Sequence, residues 1–264
     1  MNRVIRTRLV DLVLEAFRDR RKREALLWFA LYCEASAGGR HGAVATADLD
    51  RAWARRYPDS ESPGAAFAES AADLEGLLTY HGRHRASRED RAASRLPECA
   101  GGAFEPHAEL TPFLHTACER IGVYAEVVER VAARENTLAP MEPLRRAVAE
   151  AAVCFNAGLF YEAHELLEHH WVGLPRGADK RFLQGLIQIS VGFHHAMRGS
   201  YIGAVNQLEK GLAKLREPHE DSMGLDRARF LREVATARRQ IVDRGFREMR
   251  AAARDDIPRM HVLR

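Results

Sequence analysis

Two stretches in the second half of this chain can be laid over one another: GLFYEAHELLE from Gly158 and GSYIGAVNQLE from Gly199. The alignment matches Gly158 with Gly199, Phe160 with Tyr201, Ala163 with Ala204, Leu167 with Leu208 and Glu168 with Glu209. In each copy a glycine ends one helix, an aromatic opens the next, and a small alanine lets a neighbouring helix come close. The pattern spells two helical hairpins stacked side by side. Two hairpins cannot cover their own core, because repeat units need neighbours or caps. A long helix predicted from about Arg227 to Met249 is the natural cap.

Elsewhere strand-like alternation is almost absent and helical periodicity recurs, so the fold class is mainly all-α. Ser62-Pro63 and Thr111-Pro112 each set a capping hydroxyl before a proline, starting helices that run to about Tyr80 and about Arg134. Asp179 and Ser200 are positioned to cap two later helices, and Gly199 ends the first of these. From Gly82 to Pro106 the chain is rich in Arg, Ser, Ala, Gly and Pro and reads as a flexible loop. The breaker NTLAPMEP, Asn136 to Pro143, sets the domain boundary: an N-terminal mostly helical domain over 1–136 and a second helical domain over 140–255. A chain of 264 residues accommodates both.

With 40 basic against 37 acidic residues the charge balance is too mild to demand a nucleic-acid partner. The four cysteines, Cys33, Cys99, Cys118 and Cys154, form no CxxC pair and no zinc spacing. No disulfide framework is indicated, and a reducing cytoplasm fits. ALLWFALYC at Ala25–Cys33 follows RRKRE and imitates a signal peptide, but its n-region would contain Asp11, Glu15 and Asp19. It is too short to span a bilayer and reads as buried helix.

The densest chemistry lies in LFYEAHELLEHHW, Leu159–Trp171. Turning about 100° per residue puts Phe160, Ala163, Leu167 and Trp171 on one apolar face, with His164 and Glu168 at its edge. Glu162, Glu165 and His169 fall opposite, as solvated residues. The next helix, RFLQGLIQISVGFHHAMRG, is apolar nearly all round, and its exceptions Gln184, Gln188 and His195 share one stripe. Buried amides and imidazoles cost about 1–3 kcal/mol each when unpaired, so the stripe calls for partners. His164 and Glu168 supply them, giving a constellation of His164, Glu168, Gln184, Gln188 and His195 with Trp171 as its wall.

These residues also carry a resemblance. FNAGLFYEAHELLEHHW followed by FLQGLIQISVGFHHAMRGSYIGA is similar to the bacterial and archaeal domain-of-unknown-function family numbered 309. On that pattern His164, Glu165, Glu168, Trp171, Gln184, Gln188, His195 and Gly199 match the family's polar, aromatic and turn positions. Ser200 stands where asparagine is frequent, and His194 is an added imidazole before the matching one. The resemblance covers about Leu144 to Leu215, implies a compact all-helical domain, and brings no activity with it. The hairpins themselves are similar to those of tetratricopeptide proteins.

Three uses of the constellation stand open. The first is a closed hydrogen-bond network and the second a pocket for a small polar ligand, both belonging to a non-catalytic binding or regulatory protein. The third is a divalent-metal hydrolase using His164, Glu168 and His195. HExxH spacing is missing, because Glu168 occupies the position where that motif has its second histidine. No Ser-His-Asp, Cys-His or phosphate-loop signature competes.

The first half suggests another class. GAVAT as a short strand, ADLDRAWARRY as a helix, the Pro63 helix, and a wing opening at Thr79–Arg85 follow an order similar to winged helix-turn-helix domains. Arg51, Arg55, Arg56, Arg83 and Arg85 would then reach phosphates. The third helix, however, carries Glu69, Asp73 and Glu75 and no basic residue, which favours a protein partner over DNA. The amphipathic opening, with Val4, Ile5, Leu9, Leu12, Val13 and Phe17, packs on its own domain or lies on a membrane surface. Eleven arginines from Arg227 onward read as a solvated face open to an anionic partner.

Overall fold

The computed structural model describes residues 3–36, 42–64, 67, 76–81, 102–255 and 257–263. The chain divides into two compact units, Met1–Glu129 and Arg130–Arg264. Among the described residues the architecture is mainly α-helical, with one small three-stranded sheet.

In the first unit α1 (Arg3–Ala16) packs on α2 (Arg20–Ser36). Ile5, Leu9, Leu12, Val13 and Phe17 are buried in this contact, while Val4 faces outward. The opening amphipathic segment thus spends its apolar stripe on its own domain. ALLWFALYC lies wholly inside α2, and every one of its residues is buried. Trp28 at its centre meets Trp53 of α3 (Thr46–Arg56) at 6.1 Å and Phe104 at 5.8 Å between ring centroids.

Phe104 belongs to the middle strand of the sheet, whose order is β1-β3-β2. β1 (Val44–Ala45) and β2 (Leu78–His81) flank β3 (Ala103–Pro106), both antiparallel, with Val44 and Tyr80 each opposite Phe104. Two expectations are corrected here. The Pro63 helix does not reach Tyr80, because Gly76 turns the chain at φ +67° and Leu78 enters a strand. The Gly82–Pro106 loop, whose part at 82–101 lies outside the described residues, ends in strand β3 rather than in coil.

Beyond a 3₁₀ turn at Thr111–Phe113, α4 (Leu114–Ala132) carries Cys118, which is disulfide-bonded to Cys33 of α2, with the two Cα atoms 5.3 Å apart. Spacing along the chain could not foresee a bond across 85 residues that tertiary packing creates.

The second unit holds α5 (Glu135–Leu138), α6 (Pro143–Asn156), α7 (Phe160–Val172), α8 (Ala178–Arg198), α9 (Tyr201–Arg216), a 3₁₀ turn at Ser222–Gly224, and α10 (Arg227–Asp255). The repeat is visible in its geometry. Gly158 and Gly199 both take positive φ, +77° and +83°, and the matched alanines and leucines of α7 and α9 are fully buried. Gly199 ends α8 as the spacing predicts, but Gly177 stands at that helix's N-cap and Asp179 is its second residue, within the first turn. There its carboxylate is 3.0 Å from His219 Nε2.

Helix α10 packs along α9 and α8, covering the hairpins, and is broken at Gly245. Phe155, Phe160, Phe193 and Phe230, from α6, α7, α8 and α10, interlock with centroids 4.9–5.7 Å apart and form the centre of the core.

Helices α8 and α9 make the closest contact in the unit. A Cβ on Gly211 would stand 2.8 Å from the Gly185 carbonyl oxygen, one on Gly185 would stand 2.8 Å from Leu215, and one on Gly192 2.7 Å from Leu208. Gly211→Ala therefore meets backbone and is expected to lower stability by about 1–3 kcal/mol. Gly122→Ala in α4, where a Cβ meets nothing within 4 Å among the described residues, is expected to raise stability by about 0.5–1 kcal/mol. Chemical denaturation of the two variants reads the difference, and equal effects would contradict the close approach.

Candidate functional site

The sharp turn at Gly158 aims α7 so that Phe160, Ala163 and Leu167 enter the core, which leaves His164 at the edge with 16% of its side chain exposed. Its imidazole lies between two carboxylates. Nδ1 is 3.4 Å from Glu165 Oε1, and Nε2 is 3.4 Å from Glu168 Oε2. One ligand atom from each of the three side chains falls within 4.8 Å of the others.

This arrangement brings together two sequence-predicted residues, His164 and Glu168, and adds Glu165, which the helical phase sends to solvent. Glu165 is in fact half-buried, as is Glu168. The carboxylates come from adjacent turns on either side of the imidazole, a placement that a one-face projection cannot represent.

The stripe on α8 goes elsewhere. Gln188 accepts a hydrogen bond from Lys214 Nζ of α9 at 3.0 Å, and Gln184, one turn earlier, is half-buried. His195 lies over the bare backbone of Gly203, where a Cβ would be 2.9 Å from its Cγ. Among the described residues His195 is not a member of the cluster around His164. Its neighbour His194 turns toward α7, and the Tyr161 ring stands 5.4 Å from His194 and 5.7 Å from His164. The added imidazole is thus the one on the α7 side.

Trp171 carries the Lys180 ammonium 4.8 Å from its ring centroid, while Lys180 Nζ also donates to the Leu174 carbonyl at 2.7 Å. The tryptophan fastens the α7–α8 connection through this cation–π contact.

Glu162 corrects a second expectation. Helical phase sends it to solvent opposite the apolar face, but it is 0% exposed. Helix α7 is contacted by α6 as well as by α8, so both of its sides are interior. Glu150 of α6 is also 0% exposed and accepts from Arg146 Nε at 2.7 Å, and Arg146 is shared with Glu135. The fully buried Cys154 thiol is pushed well up first by burial and then by the charges of Glu162 and Glu150. That keeps it a thiol rather than a thiolate, so it is no nucleophile. One signal for this group was present in the sequence: a lone glutamate inside AVAEAAVCF, four residues after an arginine, marks a buried pair.

In the first unit Arg51 pairs with Asp48, and Arg56 pairs with Glu34 at 3.0 Å and Glu129 at 3.5 Å. Arg55 is exposed near the end of α3. Arg83 and Arg85 lie outside the described residues, as do Glu69, Asp73 and Glu75.

The second unit is therefore a helical-hairpin domain with a His/Glu cluster at the edge of its first hairpin. Residues 148–207 match the family described as Domain of unknown function (DUF309), a span that contains all of α7 and α8 and the beginning of α9. The similarity to that family thus lies in residues 148–207 of the C-terminal half. The uncharacterized protein YpuF of Bacillus subtilis (strain 168) is 31% identical over 84 residues, which cover 31% of this chain and 48% of YpuF. The chain thus spans about half the length of that curated relative. No solved structure matches it.

Proposed function

We propose that the protein is a non-catalytic binding protein whose second unit holds a divalent cation on His164, Glu165 and Glu168. The observation that carries this reading is the convergence of one imidazole and two carboxylates within 4.8 Å. Two ligands on a tetrahedral ion with bonds of about 2.1 Å stand roughly 3.4 Å apart, and His164 Nε2 and Glu168 Oε2 are separated by 3.4 Å. A mixed nitrogen and oxygen set suits zinc or manganese. The hydrolase alternative built on His195 draws no support from this arrangement, because His195 lies on Gly203 of α9.

Calorimetric titration of metal-free protein with zinc and with manganese tests the proposal. One equivalent of at least one ion should bind, and His164→Ala should abolish binding while leaving the helical circular dichroism intact. Wild-type protein that binds neither ion would reduce the cluster to a structural hydrogen-bond network.

A second reading concerns the first unit. A short strand ahead of α3 that pairs with the last strand of a terminal hairpin supports a winged-helix-like domain. Arg51 and Arg56 are already paired with carboxylates, which favours a protein partner over DNA. Fluorescence anisotropy with duplex DNA should therefore show no salt-sensitive binding that Arg55→Ala weakens. Such binding would reassign the unit to nucleic acid.

Among the described residues no helix is long and apolar enough to cross a membrane. We place the protein in the cytoplasm from its sparse, unpatterned cysteines. The Cys33–Cys118 bond bears against that placement, and mapping the thiols of protein isolated from its cells decides between them.

A further inference from the structure

Beyond Gly245 the chain returns along its own unit as an extended segment, residues 257–263, and its anchoring fixes which side chains face which way. The Asn156 side chain donates to the Met260 carbonyl at 3.0 Å and accepts from the Met260 N–H at 2.9 Å. Asp226 N–H donates to the His261 carbonyl at 2.8 Å, and Val262 bridges to Leu225. Met260 is 3% exposed and Pro258, two residues earlier, is also buried, so the segment is pinned by side chains on one of its sides. Successive residues of an extended chain point to opposite sides. Burying Met260 therefore turns Arg259 and His261 outward together.

They turn toward the start of α10. There Arg229, Arg232 and Thr236 line a cavity of about 380 Å³ with Arg259 and His261, and Ile257 and Pro258 form its apolar side. Among the described residues the single carboxylate in the lining is Glu233. It accepts from Arg229 Nε and from the Arg259 N–H, both at 2.8 Å, and His261 Nε2 is 4.0 Å away. Burial opposes the charge of Glu233, but the Arg259 N–H, Arg229 and His261 outweigh it and hold the carboxyl below the ordinary glutamate value. Among the described lining residues one carboxylate thus stands with three arginines. The His261 Nε2 atom is itself buried and has no hydrogen-bond partner among the described residues.

We infer that this cavity binds the terminal phosphate of a small molecule. Guanidiniums approach from two directions, Arg232 from the helix and Arg259 from the returning segment. Their planar forks suit the several oxygens of a phosphate monoester. The Thr236 hydroxyl adds a donor of the kind that such an oxyanion accepts, and the His261 ring lines the same cavity. The volume is that of a small-ligand pocket rather than of a stripe tracking a polyanion. Glu233 pairs with Arg229 and ties the returning backbone at Arg259, which leaves the guanidiniums of Arg232 and Arg259 for the ligand. This site is separate from the His164 cluster and does not depend on the cation reading.

Titration of the full chain with inorganic phosphate and with pyrophosphate tests the inference, following the His261 ring signals by NMR at an ionic strength held constant with chloride. A saturable shift is expected that chloride does not produce. Arg232→Ala and Arg259→Ala, both at exposed positions and so compatible with the fold, should each weaken it about tenfold or more. No saturable response, or a response indifferent to both substitutions, would overturn the inference. So would tight binding of a single-stranded oligonucleotide without any effect of phosphate.

Discussion

The backbones of α8 and α9 meet where Gly185 and Gly211 face each other, and that contact fixes the rotation of α8 about its axis. With a side chain on either glycine the helices would separate or turn. Because they do not, Gln188 is delivered to Lys214 and His195 to Gly203, both on α9, while His194 is left on the α7 side. The candidate cation site then consists of what α7 offers by itself. Helix α7 presents His164 between Glu165 and Glu168, with Tyr161 against the imidazole.

The repeat that opens the sequence argument survives as geometry, because it rests on backbone requirements. Gly158 and Gly199 both need positive φ, and Ala163 and Ala204 both need to vanish into a helix interface. Such constraints are local and can be read from one strand of text. The phase of α8 could not be read in the same way. An almost uniformly apolar helix gives no internal reference for which neighbour its few polar residues meet, and Gly185, Gly192 and Gly211 supply that reference only once paired. Glu162 was missed for a related reason. Periodicity marks the face buried against one neighbour, whereas α7 has neighbours on two sides.

Two carboxylates of this unit are held by neighbouring cations. Glu150, fully buried, has Arg146, and the exposed Asp221 has the Met223 N–H together with Arg145, which hold its carboxyl below the ordinary aspartate value. Buried carboxylates survive only with such partners. Among the described residues two groups stand apart from this pattern, the His164 cluster, where carboxylates surround an imidazole, and the Arg229–Arg232–Arg259 cavity, where the cations of the described lining outnumber its one anion. Their opposite sign is the physical reason for assigning them different ligands, a cation to the first and an oxyanion to the second.

The account turns on α7 alone forming the cation site, without the α8 imidazole that the sequence pattern had paired with it. Cation affinity measured side by side in Glu165→Gln and His195→Ala tests this most directly. The account predicts affinity at least about tenfold weaker in Glu165→Gln, whether Glu165 binds the ion or orients His164, and unchanged in His195→Ala. Loss in His195→Ala with full affinity in Glu165→Gln would contradict it.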